Sequence, residues 1–325
     1  MSFSRFCERC ILARVNLSVV IITYNEEANI GRTLESVQPL VSDGKGEIIV
    51  VDSGSTDRTV EIAKSLGAKV FVEEWKGYAA QKNSAIDKAE WDWILSLDAD
   101  ESLEHGTEIT IHLLLSNPDG FTERELQNMT MARGGDSLDT VEAVMAYEEG
   151  FGVNSTQNAE KIPLALSGYW IPRKNFFLGR WVKHGGFWPD PKLRLFRRGY
   201  GRFEARPVHE ALKVDGYTAR LKSGALLHHS YPTLSDYIDH MNRYSSLGAE
   251  MVVAQGKVGF SFINIVLRPS FTFIYNYFFR LGFLDGRAGL LLHLYHAVYV
   301  SWKYAKAWEL SRGTQPPIGS KKLSS

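Results

Sequence analysis

Two carboxylates one residue apart, Asp98 and Asp100, close the segment Leu95-Ser96-Leu97-Asp98-Ala99-Asp100-Glu101. If the segment is extended, alternate side chains project to one side. The two carboxylates then converge at the carboxyl end of a strand. Convergent carboxylates repel unless a cation lies between them. Oxygen ligands favour Mg2+ or Mn2+, and such an ion commonly joins one or two carboxylates to substrate phosphates. The expectation is a metal-bridged nucleotide diphosphate, with Asp98 and Asp100 as metal ligands and Asp100 the more direct one. A solvated Asp-x-Asp turn is the competing reading of the same residues.

The elements that must position this pair are legible upstream. Leu17-Ser18-Val19-Val20-Ile21-Ile22-Thr23 is a β-branched run, the mark of a strand buried on both faces. A helix follows, with Ile30, Leu34 and Val37 on one stripe and Glu26 and Glu27 in its first turn. Glu47-Ile48-Ile49-Val50-Val51-Asp52 is a second buried strand, and Ser53 to Asp57 a turn. The next helix places Val60, Ala63 and Leu66 inward and ends at Gly67. A strand at 68–72, a helix at 77–89 and a strand at 91–97 complete the alternation. Strand and helix in turn, with short links, predict an α/β fold: a mainly parallel sheet with helices on both faces. Ligands of such sheets bind at the carboxyl ends of the strands. Polar clusters sit at three of those ends, at 23–26, 52–55 and 98–101.

Ser18 to Glu26, Val50 to Asp57 and Leu97 to Glu101, in that order, resemble the inverting family-two glycosyltransferases of GT-A fold. A second block, Gly168-Tyr169-Trp170-Ile171-Pro172-Arg173, Leu193 to Arg198 and Val208-His209-Glu210, resembles a narrower branch that includes lipopolysaccharide-core β-glucosyltransferase-like enzymes. The resemblance implies that Thr23, Tyr24, Asn25 and Glu26 line base and ribose. It implies that Asp52 accepts a hydrogen bond from a pyrimidine ring N–H, which favours uracil, with Ser53 and Gly54 beside it. Lys82 faces the nucleotide, where a cation stabilises a leaving diphosphate, and Asp98 serves ribose and phosphate. Glu210 is the implied general base, with His209 orienting it or acting in its place, and Asp190 as runner-up. Each residue also has a plain structural role open to it. Glu26 suits a first helical turn, Asp52 a turn or cap, and Lys82 an exposed helix face.

The implied activity is metal-assisted transfer of a hexose, glucose from UDP-glucose, to a lipid-linked or lipopolysaccharide-core saccharide. The cofactor is Mg2+ or Mn2+. The partners are a UDP-hexose donor, a glycolipid acceptor and a membrane surface. The expected place is the cytoplasmic side of the cell membrane, attached peripherally. A polyprenyl-phosphate hexose synthase and a non-catalytic sugar-nucleotide-binding scaffold are the alternatives. The first strand lacks Gly-x-Gly-x-x-Gly, which argues against a dinucleotide oxidoreductase.

Further along, Trp170, Trp181, Phe187 and Trp188 cluster with His184, either as a sugar-stacking platform or as core. Lys192 and Arg194 alternate with leucines, either as a basic face for a diphosphate or anionic acceptor or as a charged edge strand. Trp181, His184, Arg194 and His209 are thus candidate acceptor or diphosphate contacts.

Thirty-seven basic and 37 acidic residues balance, so no global charge points to nucleic acid. Both cysteines, Cys7 and Cys10, fall in an N-terminal extension, residues 1–16, that has no signal-peptide pattern. The catalytic domain is expected at 17–232, with an insertion over 117–166. Residues 233–312 read as helical. Three apolar, aromatic runs there, at 258–267, 271–279 and 289–302, fall short of the roughly 20 residues that span a bilayer. Aromatics among Arg and Lys suit a membrane interface, and a packed or dimerising appendage is the soluble alternative. Residues 313–325 read as a disordered tail.

Overall fold

The computed structural model describes residues 16–42, 44, 46–116, 166–205, 210–221, 223–256 and 260–312. The expectations for residues 1–15, most of the insertion, His209 and the tail lie outside them. The described residues divide into two compact units, one from 16–174, 190–205 and 210–228, the other from 175–189 and 229–312.

The first unit is the expected α/β layer. β1 (Leu17–Thr23) and β2 (Gly46–Asp52) are buried almost throughout. β3 (Lys69–Val72) is the exposed edge, and β4 is Trp93–Asp98. With β6 (Leu166–Ile171), β9 (Lys192–Arg197) and β12 (Tyr217–Arg220) they form a seven-stranded sheet in the order β12-β6-β9-β4-β1-β2-β3. Every pairing is parallel except those of β9, which runs antiparallel to both neighbours. The two-residue period of β1 sorts its side chains. Leu17, Val19 and Ile21 join a core with α1 (Ile30–Val41), α2 (Thr59–Ser65) and α4 (Thr107–Ser116). Val20 and Ile22 face α3 (Tyr78–Asp87) on the other side. Helices therefore cover both faces, as the alternation predicts. α1 starts at Ile30, so Glu26 and Glu27 precede it rather than fill its first turn.

β9 is not a charged edge strand. It lies inside the sheet between β6 and β4, with Leu193, Leu195 and Phe196 buried. β5 (Glu101–Leu103) pairs antiparallel with β13 (Leu226–Tyr231), and β10 (Gly201–Glu204) with β11 (Ala211–Val214).

The second unit is mainly helical. α5 (Leu234–Ala254) opens with a capping box in which Thr233 and Asp236 satisfy each other's backbone N–H. α7 (Gly286–Ser311) lies close against it, since a side chain at Gly248 would meet the Lys303 stem at 2.8 Å. Lys306 Nζ ties the pair by bonding Asn242 and Ser245. Phe177, at the end of β7 (Arg173–Phe177), and Val182, just after β8 (Arg180–Trp181), pack with Tyr237, Ala288 and Leu292. The segment 175–189 thus joins the helices, although the sequence places it before the boundary at 232. Between α5 and α7 the chain is helical from Ile263 through α6 (Arg268–Ile274) to Phe279. Among the described residues no helix is long and apolar enough to cross a membrane.

Candidate active site

Register brings the strand ends together. Thr23 pairs with Asp52, and Ile22 with Asp98, so β4, β1 and β2 finish side by side. The loops that follow are laced to each other. Asn25 takes the left-handed conformation (φ 53°), one that Asn tolerates better than most residues. Its backbone N–H donates to Ser55 Oγ at 2.8 Å, and its Oδ1 accepts from the Thr56 N–H at 2.8 Å. The Glu26 N–H donates to Thr59 Oγ1 at 2.8 Å.

Asp52 takes the structural role open to it. Fully buried, it accepts from the backbone N–H groups of Gly54 (2.9 Å) and Ser55 (2.8 Å) and from the Ser55 hydroxyl. That turn needs Gly54 at φ +89°. The carboxylate expected to read a pyrimidine also shapes the loop. Thr23 Oγ1 and Ser53 Oγ are buried beside it without a hydrogen-bond partner among the described residues, as is Gln81 Nε2 on α3. Unpaired buried polar atoms are costly. Here they supply unused donors and acceptors at the strand ends. Tyr24 is 40% exposed.

The two aspartates do not converge as an extended segment would require. β4 ends at Asp98, and Ala99 and Asp100 turn the chain into β5. Asp98 Oδ1 meets Lys82 Nζ at 2.7 Å, and its Oδ2 meets Arg194 Nη2 at 2.5 Å. Burial alone would raise the Asp98 carboxyl, but Arg194 and Lys82 hold it well below its ordinary range. Asp100 instead faces His228, with Oδ2 3.3 Å from Nε2. Burial raises its carboxyl, and the imidazole more than offsets that.

Lys82 is buried and bridges two carboxylates, since Glu210 Oε1 also lies 2.7 Å from Nζ. Glu210 is placed from both sides. It immediately precedes β11, whose partner β10 is stitched to α3 where Asn83 and the Phe203 backbone exchange two 2.9 Å hydrogen bonds. From Asp98 the pairing continues inward. Arg194 meets Glu101 at 2.8 Å, Glu101 meets Arg173 at 2.9 Å, Arg173 meets Asp190 at 2.7 Å, and Asp190 meets Lys192 at 2.9 Å. Acids and bases alternate along this chain from Glu210 to Lys192. Arg194, expected on a face offered to a ligand, is buried between two acids. Asp190, the second candidate base, is paired with two cations.

A divalent cation fits some of these residues and not others. Both Asp98 oxygens are engaged by cationic side chains, so that carboxylate is not arranged as a metal ligand. Asp100 and His228 bring an oxygen and a nitrogen to one place, which suits an ion that takes its remaining positions from phosphate and water. Negative charge accumulates there. Burial and then the Asp100, Asp57 and Asp98 charges push the Glu26 carboxyl up, against a hydrogen bond from Asn29. Among the described residues no three His, Cys, Asp or Glu side chains form a metal cluster.

Trp181 and His184 belong to the second unit. They line a cavity of about 360 Å3 with Arg180, Lys183 and Asp285. His184 Nδ1 lies 3.0 Å from Asp285 Oδ1, and Lys183 Nζ sits 4.5 Å from the centre of the Trp181 ring.

Sequence reasoning missed Arg173, Gln81 and His228 as site residues and left Glu101 undecided. Arg173 closes a block already singled out, Gln81 precedes Lys82, and Glu101 follows the aspartates, so local signals existed. His228 had none, because only the β5–β13 register, which pairs it with Glu101, brings it near Asp100.

Residues 18–113 match the model of Glycosyl transferase family 2. A lipopolysaccharide core biosynthesis glycosyltransferase of Rhizobium meliloti is 28% identical over 92% of this chain and 94% of its own length. An uncharacterized glycosyltransferase of Rickettsia typhi is 28% identical over 94% of this chain and 90% of its own. A dolichyl-phosphate hexose transferase of Haloferax volcanii is 38% identical, but over 27% of this chain and 37% of its own length.

Proposed function

We propose, from the premise that this chain is a family 2 glycosyltransferase, that it moves glucose from UDP-glucose to a lipid-linked saccharide of the lipopolysaccharide-core type, with inversion. One observation carries the reading: Lys82 holds Glu210 at the end of β4, 2.7 Å from the cation that Asp98 also shares. A carboxylate remote in sequence is thereby fixed at the carboxyl ends of the strands, where ligands of such sheets generally bind.

Glu210 takes the proton of the acceptor hydroxyl. The acceptor oxygen forms its bond to the anomeric carbon from the face opposite the diphosphate. The bond from that carbon to the phosphate oxygen breaks, and UDP departs with the electron pair. An α-linked donor gives a β-linked product. Lys82 supplies a fixed positive charge as negative charge develops on the leaving group. Tyr24 offers the nucleotide an aromatic face, with the buried Thr23 and Ser53 hydroxyls behind it. Asn25, Asp52 and Gly54 hold the loops that present them. Asp98 positions Lys82 and Arg194. Asp100 and His228 would hold Mg2+ or Mn2+, which when bound neutralises diphosphate charge. The lipid-borne acceptor brings the enzyme to the cytoplasmic face of a membrane.

The Haloferax volcanii relative favours a second reading, hexose transfer to a polyprenyl phosphate. That similarity covers 27% of this chain, whereas the Rhizobium meliloti relative spans 92% of it, including the helices.

The test is to incubate the full-length protein with isotopically labelled UDP-glucose, Mn2+ and either truncated lipopolysaccharide or polyprenyl phosphate, and to weigh the lipids. A hexose added to the lipopolysaccharide, and lost in Asp100→Ala, is expected. A hexose on the polyprenyl phosphate alone selects the second reading. No transfer to either lipid by protein that binds UDP favours a scaffold.

A further inference from the structure

The helical stretch between α5 and α7 turns its apolar side chains outward. Phe279 is 73% exposed, Phe271 66%, Ile263 64% and Phe260 62%. Neither Ile263–Leu267 nor Tyr275–Phe279 contains one buried residue, and in α6 only Pro269 is buried. Scattered exposed apolar residues are ordinary, but a contiguous patch of several hundred Å2 marks an interaction surface. Taking about 200 Å2 for a Phe side chain, Phe260, Phe271, Phe278 and Phe279 alone leave on the order of 500 Å2 uncovered. Polar ties fasten this stretch to α7. The Ser301 hydroxyl donates to the Ile265 carbonyl at 2.8 Å, and Arg268 donates to the Tyr304 hydroxyl.

Charge says what covers it. The whole chain is neutral, yet residues 260–312 hold six basic side chains (Arg268, Arg280, Arg287, Lys303, Lys306 and Arg312) and two acidic ones. One of the acids, Asp285, is turned inward onto His184. Several of the cations lie on aromatic rings. Arg268 and Lys303 sit 5.2 and 4.8 Å from the centre of Tyr304, and Arg312 sits 4.9 Å from Trp308. Phe260 packs edge-on against that same Trp308. Aromatic rings beside Arg and Lys, next to exposed apolar rings, match the layering of a bilayer interface. A symmetric second copy would set this basic surface against itself, which argues against a dimer contact.

We propose that residues 260–284 form a membrane-docking surface for a bilayer rich in anionic lipid. Phe271, Phe278 and Phe279 enter the acyl boundary, and Lys303 and the Arg side chains meet the head groups, Lys306 being committed to Asn242 and Ser245. This deepens the reading above, on which it rests only for its purpose: bringing the transferase to a lipid-borne acceptor.

Sedimentation of the full-length protein with vesicles tests it, using phosphatidylcholine alone or with about one third phosphatidylglycerol. The protein is expected to sediment with the anionic vesicles and far less with the neutral ones. F271S/F279S should lower the partition coefficient by at least about tenfold, since each ring loses its transfer into the bilayer. Arg287→Gln, a milder exposed change, should lower it by about fivefold at low salt. Unchanged melting curves and UDP affinity confirm that the variants are folded. Equal sedimentation with both vesicles, or wild-type binding by F271S/F279S, overturns the proposal. So does a soluble dimer that the double variant converts to monomer, which would assign the surface to a second copy. Protein that binds vesicles but not UDP leaves the surface standing and removes the nucleotide reading instead.

Discussion

At the carboxyl ends of β4, β1 and β2 the charged side chains are inside and paired; along residues 260–284 the apolar side chains are outside and uncovered by their own unit. Both departures from ordinary burial carry a cost. Ion pairs of this kind often contribute little net stability, yet removing one partner strands the other. Exposed rings sacrifice burial worth about 1.5–3 kcal/mol each. The first region keeps its cost internal, because Lys82 and Arg194 neutralise the acids around them. The second meets its cost only when something else covers the surface. A site that must keep its geometry while a charged substrate comes and goes suits the first arrangement. A reversible attachment suits the second.

The contrast can be broken most severely at Glu210. Glu210→Gln keeps the shape and removes the proposed base, so turnover should fall by about 10²–10⁴ with UDP affinity nearly unchanged. Pre-steady-state kinetics beside equilibrium titration separates the two quantities. Near-normal turnover would move the proton to another group.

Arg194→Met should cost about 3–5 kcal/mol of stability, because Asp98 and the fully buried Glu101 each lose a cation. Urea unfolding should show a lower midpoint with unchanged slope. A change under about 1 kcal/mol would mean that the ionic chain is not a buried network.

His293 sharpens the second region. It is 1% exposed, neither ring nitrogen has a hydrogen-bond partner among the described residues, and side chains at Gly185 or Gly282 would lie within 2.0–2.3 Å of the ring. Burial, then His296, lowers it from 6.5 to about 4. The unfolded chain therefore takes up this proton first as pH falls. Stability is full above about pH 6.5, declines between 6.5 and about 4, and is flat in this contribution below that. The loss is at most about 3 kcal/mol. Comparing wild type with His293→Gln across that window isolates it. Parallel curves would show that the group is not buried neutral.

Phe279→Ser should have the smallest effect, within about 0.5 kcal/mol, because the ring contributes almost no burial to its own unit. A loss above about 2 kcal/mol in detergent-free buffer would mean that the ring is packed rather than offered.

Periodicity carried the sheet. The uninterrupted runs of β1 and β2 announced strands covered on both faces, and the stripe Ile30, Leu34, Val37 announced the helix above them; all are buried. Strand order was not legible, and with it went the partners that depend on it. Arg194 reads as half of a basic face until β9 is placed antiparallel beside β4, 96 residues away in sequence. Asp98 and Asp100 read as a convergent pair until the chain turns at Ala99 to let β5 reach β13. Asp52 shows why a residue type does not settle a role: the same carboxylate can cap a turn or face a base, and only the folded loop reveals that it accepts from the Gly54 and Ser55 N–H groups. The aromatic segments were legible in composition, and their outward orientation was not.

Calorimetric titration of the full-length protein with UDP, with and without Mn2+ and with GDP as control, tests the nucleotide reading most directly. UDP is expected to bind, more tightly with Mn2+, and to lose that metal effect in Asp100→Ala. Equal affinity for GDP, or no nucleotide binding, would contradict a UDP-sugar site at the ends of β4, β1 and β2.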